Sequence, residues 1–171
     1  MTGADFTGCS LRGCVADGLK FVSASVQDCD LSGSRFKKPV FAKSSLRRAN
    51  CSNIVWGASD ARLGSTATDA DSASFMDCYA GFACFNQARI AGYFFNTTFH
   101  DSEFLYANLS DSHIAGNGVG TRVSFAGCDL TRADFSRCRI SGTSFSNATL
   151  DGTNFSDCDV GASVRGLDQI S

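Results

Sequence analysis

The 171-residue chain has one Pro, one Trp and two His, and Glu103 stands alone beside 16 Asp. Asp favours turns where Glu favours helices, so a helical bundle is excluded. A disordered polymer is excluded too, because 43% of the residues are hydrophobic and 19% charged. No stretch approaches the roughly 18 apolar residues of a membrane span, and the start Met-Thr-Gly-Ala-Asp-Phe-Thr-Gly lacks the basic and apolar segments of a secretory signal. These absences lead us to expect a soluble, cytoplasmic protein. The formal net charge is −2, which marks neither a strongly basic nucleic-acid binder nor a highly acidic protein. Nine cysteines are present, an odd number with no C-x-x-C pair, and their placement decides what they are for.

What the chain does have is a period of five. From Phe6, steps of five meet Leu11, Ala16, Phe21, Val26, Leu31, Phe36, Phe41, Leu46, Cys51 and Trp56. A second run goes from Phe75 through Ala80, Phe85 and Ile90, takes a four-residue step to Phe94, and continues through Phe99, Phe104, Leu109, Ile114 and Val119. After a six-residue step, a third runs from Phe125 through Leu130, Phe135, Ile140, Phe145, Leu150 and Phe155 to Val160. All 29 of these centres are apolar, and the residue two places before each is usually small, as Ala4, Cys9, Cys29, Ala49, Cys128 and Ala133 are. The period matches neither the helical 3.6 nor the strand 2.0. It requires a chain that turns a corner every five residues: two inward residues flank one outward residue, and Ser, Thr, Asp, Asn and Gly make the turn. Successive coils then stack as parallel strands around a packed interior.

The units Ala4-Asp5-Phe6-Thr7-Gly8, Cys29-Asp30-Leu31-Ser32-Gly33, Ala107-Asn108-Leu109-Ser110-Asp111 and Ala133-Asp134-Phe135-Ser136-Arg137 resemble the A-(D/N)-(L/F)-(S/T)-X unit of pentapeptide-repeat proteins. The resemblance runs over residues 4–160 and implies an all-β fold, a right-handed quadrilateral parallel β-helix with four units per coil. Twenty-nine units make about seven coils, a rod of roughly 35 Å at about 4.8 Å per layer. The chain then reads as one domain: a first repeat tract 4–56, a loop or degenerate coil at 57–72, a second tract 73–160 and a C-terminal cap 161–171. In the cap, Val164, Leu167 and Ile170 recur every third residue and are expected to make one covering turn.

This frame assigns most of the reactive residues to structure. Seven cysteines fall at the small inward position and Cys51 is a centre, so only Cys84 lies outside both. Buried thiols acting as small hydrophobes are expected, with no catalytic, cofactor or metal site. His100 and His113 occupy outward places and are expected to be solvated. Residues 20 apart should lie over one another, placing Asp17 by Lys37, Asp28 by Arg48, Arg137 by Asp157 and Arg139 by Asp159.

Four features depart from the repeat. One is the tract 57–72. Another is a set of outward aromatics, Tyr79, Phe82, Tyr93, Phe95 and Tyr106, which with Met76 form a candidate partner-binding patch. Met76 and Phe95 should sit one above the other, with Tyr93 beside them and Tyr79 and Phe82 on the next side; Tyr106 lies further round. A third is a basic belt of Arg35, Lys37, Lys38, Lys43, Arg47 and Arg48. The belt spreads over three sides, which suits a solvated surface better than direct nucleic-acid recognition. The last is Pro39, an inward residue where loss of a backbone donor would kink the ladder. The reading favoured by these features is a non-enzymatic scaffold that binds a protein partner or forms a homodimer through the aromatic patch. The resemblance adds two alternatives: a DNA-mimicking binder of bacterial type II topoisomerases (DNA gyrase or topoisomerase IV), protecting against quinolone or toxin, and a β-helical module of a bacterial secreted effector.

Overall fold

The fold is that of a computed structural model, which describes residues 2–57, 73–116 and 122–167. These residues form short parallel strands and bridges on the four sides of a solenoid. The sides are named here by their first centres, Phe6, Leu11, Ala16 and Phe21. The Phe21 side is a seven-stranded sheet, from Lys20–Val22 at one end to Asp159–Val160 at the other. Seven levels are thus stacked, separated by six turns.

Each corner follows from the composition of the unit. Two residues after most centres the backbone enters the left-handed region, as at Gly8, Asp28, Gly33 and Asn147. Asp or Asn just before a centre accepts a hydrogen bond from the backbone N–H two residues on: Thr7 donates to Asp5, Ser32 to Asp30 and Thr131 to Asp129. That closure needs a one-carbon stem, which is why Asp outnumbers Glu so heavily. At the small inward position, Ser44 donates to the carbonyl of Phe21, Ser102 to that of Ala80 and Cys128 to that of Phe99. Ser, Thr and Cys therefore exchange freely there with Ala. Pro39 produces no break: Val40 donates to the Leu19 carbonyl at 2.9 Å and Ser74 to that of Pro39 at 2.9 Å. The ladder uses the carbonyl of that position, so the expected kink has no cause.

The register locates the interruptions. Phe41 pairs directly with Phe75, 34 residues on, and Trp56 with Ile90. Regular coils advance by 20, as Phe21 to Phe41 does. The tract 57–72 lies, apart from Gly57, outside the described residues. One level is a residue short, with Phe75 against Phe94; there Gly92 faces Ala73 so closely that an added Cβ would clash with its carbonyl oxygen. Ile114 pairs with Ile140, and Phe125, Leu130 and Phe135 complete that coil. Those residues fill all four sides of that coil; Val119, counted as a centre, lies outside the described residues.

Every level holds two aromatic centres and no more. They are Phe6 and Phe21, Phe36 and Phe41, Trp56 and Phe75, Phe85 and Phe94, Phe99 and Phe104, Phe125 and Phe135, and Phe145 and Phe155. The column on the Phe21 side stacks Phe21, Phe41, Phe75 and Phe94 at centroid separations of 4.9, 5.1 and 5.0 Å. Higher up, the rings shift to the Phe6 side, where Phe99, Phe125 and Phe145 stack at 5.1 and 5.4 Å. The cross-section is constant, so a third ring overfills it. Leu109→Phe, beside Phe99 and Phe104, is expected to destabilise by about 1–3 kcal/mol in chemical denaturation. Adding Phe104→Leu at the same level should recover most of that loss.

Candidate interaction surface

The outward face of the Phe21 side is apolar through its middle. The residues following its centres run in register as Val22, Ala42, Met76, Phe95 and Ala115. The residues preceding them run Lys20, Val40, Ser74, Tyr93, His113, Arg139 and Asp159. Met76 and Tyr93 are 44% and 39% exposed, and Phe95 is half-buried. Met76 and Phe95 are register partners, and Tyr93 lies on the same strand, Gly92–Phe95. A search for outward aromatics misses Val22, Val40, Ala42 and Ala115. Reading one position along the 20-residue coil finds them, because the column after the centre stays apolar through five levels.

On the adjoining Phe6 side the Tyr79 hydroxyl lies 3.0 Å from His100 Nε2, and the Phe82 ring meets the His100 ring edge-on at 5.2 Å. His100 is therefore held by two aromatics instead of being simply solvated, while His113 is exposed beside Tyr93 at 5.8 Å. Gly81 makes room for this group, since a Cβ there would approach the Tyr79 hydroxyl to 2.7 Å. Phe82 is 49% exposed at φ +57°, a corner where a bulky residue is disfavoured by roughly 1–2 kcal/mol. Tyr106 stands apart: it occupies the corner between the Leu11 and Ala16 sides, diagonally across the rod, and its hydroxyl accepts from Arg132 at 3.0 Å.

All six residues of the basic belt are exposed. Arg47 lies over the Phe82 ring at 5.8 Å and so joins the belt to the aromatic cluster. Arg48 donates from two nitrogens to Asp28 at 2.6 Å, which holds that carboxyl below its ordinary range. Arg35 and Lys37 line a hollow of about 420 Å³ on the Ala16 side with Val15, Phe36 and Val55. Asp17 and Lys37 are register partners, as are Arg139 and Asp159. Arg137 does not pair as expected. It donates from two nitrogens to Asp111 at 2.8 Å, on the preceding level, instead of to Asp157 on the next.

Cys29, Cys51, Cys78, Cys128 and Cys138 are buried. Desolvation pushes the thiols of Cys29 and Cys78 up to about 11 and those of Cys128 and Cys138 up to about 12. Cys9 and Cys14, expected to be buried, are exposed because the first level has no coil beneath it. Titration of the folded protein with a chromogenic disulfide at pH 8 should give two fast thiols, the half-buried Cys84 and Cys158 should follow more slowly, and the five buried ones should react only on unfolding. Rapid reaction of Cys128 or Cys138 would contradict the packing. At the other end, Val164 and Leu167 are half-buried against the core, and Ile170 lies outside the described residues.

The sequence model for pentapeptide repeats matches residues 1–37 and 121–159, with eight copies. No curated protein is significantly similar in sequence. Among solved structures, full-length QnrB1, a plasmid-mediated fluoroquinolone resistance protein, is 16% identical over 94% of this chain and 85% of its own, with a TM-score of 0.39. HetL, a pentapeptide repeat protein involved in heterocyst differentiation regulation from the cyanobacterium Nostoc, is 15% identical over 93% and 86%, with a TM-score of 0.29. Rfr23, a pentapeptide repeat protein from the cyanobacterium Cyanothece, is 9% identical over 94% and 90%, with a TM-score of 0.27. Superpositions this loose carry no argument about function. The five-residue unit that recurs in both matched tracts, and the four-sided parallel ladder it builds, place this chain in the pentapeptide-repeat family.

Proposed function

We propose that the chain is a non-enzymatic scaffold that docks a protein through the apolar face of its Phe21 side, with Tyr79 and Phe82 extending that face round the corner. The observation that carries this reading is the exposure of Met76, Tyr93 and Phe82 on adjoining sides of a rod whose aromatic centres from Phe21 to Phe145 are packed inside. A flat sheet held by a fixed ladder presents such side chains with little ordering entropy left to lose, which suits protein recognition. The repeat itself accounts for the Ser, Asp and Cys positions, which supports a scaffold over an enzyme. Affinity capture with the wild-type chain and the Tyr93→Ser/Phe95→Ser variant tests the reading: a partner held by the first and lost by the second supports it, and equal capture refutes it.

One observation favours a second reading, a binder of the DNA-handling surface of a type II topoisomerase. On the Leu11 side Glu103 and Asp129 are register partners of like charge, with Asp151 one level further on. Such stacking builds negative potential along a side. A gyrase supercoiling assay decides: neither inhibition nor protection from a fluoroquinolone at micromolar protein dismisses it.

A further inference from the structure

We propose that the occupant of the apolar face is a second copy of this chain, docked with the two rods antiparallel about a two-fold axis at the level of Tyr93 and Phe95. The inference rests on the docking-surface reading and adds the partner and its register. A two-fold axis lying along the strand direction keeps each outward column facing itself while reversing the order of levels. With the axis at the fourth level, the first meets the seventh, so Lys20 of each copy faces Asp159 of the other. The third meets the fifth, setting Ser74 against His113 and Met76 against Ala115, and Tyr93 and Phe95 meet their own copies at the centre. Arg139 lays its aliphatic stem over Val40, Ala42 faces Ser141, and within these two columns no like charges oppose one another.

Neighbouring registers are worse. Moving the axis half a level toward the N-terminal end sets Lys20 against Arg139, a like-charged contact. Moving it half a level the other way sets Asp159 against Val40. A parallel arrangement sets each preceding column against the following one, leaving Lys20 opposite Val22 and Asp159 opposite Gly161. Charge at the two ends of an apolar stripe thus selects one pairing. Seven levels of one side, about 30 Å long and three strand residues or about 10 Å wide, make a stripe of roughly 300 Å², smaller than the roughly 800 Å² per partner of a standard interface, so the dimer should be weak and concentration-dependent.

Analytical ultracentrifugation up to about 0.5 mM protein, followed by zero-length carbodiimide cross-linking, tests this. Carbodiimide condenses an amine and a carboxylate in direct contact. Within one chain Lys20 and Asp159 are six levels apart, about 29 Å, so a link between them arises only between copies. We expect a dimer of about 36 kDa, twice the 18.1 kDa chain, carrying that link. Lys20→Asp and Asp159→Lys should each weaken association by about 3- to 10-fold, and the two together should restore it. Circular dichroism of each variant confirms the fold. A monomer at every concentration overturns the proposal, as does a dimer lacking the Lys20–Asp159 link or a double variant no better than the singles. A monomeric chain that still captures another protein through Tyr93 and Phe95 overturns self-association while leaving the docking-surface reading in place.

Discussion

Phe75→Ala should lower folding stability by about 3–5 kcal/mol, the upper range for a single core truncation. Phe75 is fully buried and stacks between Phe41 at 5.1 Å and Phe94 at 5.0 Å, with Trp56 at 6.1 Å and the edge of Phe99 at 6.2 Å. Neighbours locked in a backbone ladder above and below cannot collapse into the vacated space, so the cavity cost adds to the lost transfer free energy. The position has a second consequence. In a solenoid each level contacts only its neighbours, so a gap at the third level weakens the coupling between the levels on either side. Urea denaturation followed by circular dichroism should show a lower midpoint and a broadened or split transition. Phe155→Ala at the half-buried seventh level is the control and should cost less, with a single transition. Equal losses at the two sites would mean that the stack does not transmit stability along the rod.

Replacing Tyr93 and Phe95 together by Ser should abolish association while the β spectrum is retained. The two side chains flank Phe94, whose ring is inside the stack, so the strand stays anchored by its inward residue when both outward ones are cut back. Central aromatic anchors of an interface typically cost 2 kcal/mol or more on truncation, so a loss of at least about 30-fold in affinity is expected. Tyr106→Ser is the matched control: Tyr106 is 51% exposed, but it lies on the opposite corner under Arg132. It should leave association unchanged. A comparable loss from Tyr106→Ser would move the surface to the other side of the rod.

The solenoid was legible in the chain because a corner every five residues leaves its trace directly in side-chain polarity, and nearly every inward centre from Phe21 to Phe145 is buried. What escaped are features set between coils. Regular coils advance by 20, yet Ile114 pairs with Ile140, 26 residues on, and the step of five alone does not show that this coil is longer. Arg137 has an acid on each neighbouring level, and sequence distance favours Asp157; the pair with Asp111 forms because the insertion brings position 111 under position 137. Cys9 and Cys14 obey the inward rule, but inward means covered only where another coil lies beneath. The apolar column through Val22, Ala42 and Ala115 went unseen because each residue is unremarkable alone, and only the stacking of coils makes them one surface.

Hydrogen–deuterium exchange of the associated against the dissociated chain tests the central claim most directly, since it reads the docking surface without altering a residue. The account predicts added protection in peptides covering Ala73–Met76, Gly92–Phe95 and His113–Ala115 and none in those covering the Leu11 side around Glu103 and Asp129. Protection confined to the Leu11 side, with the strands of the Phe21 side unchanged, would contradict it.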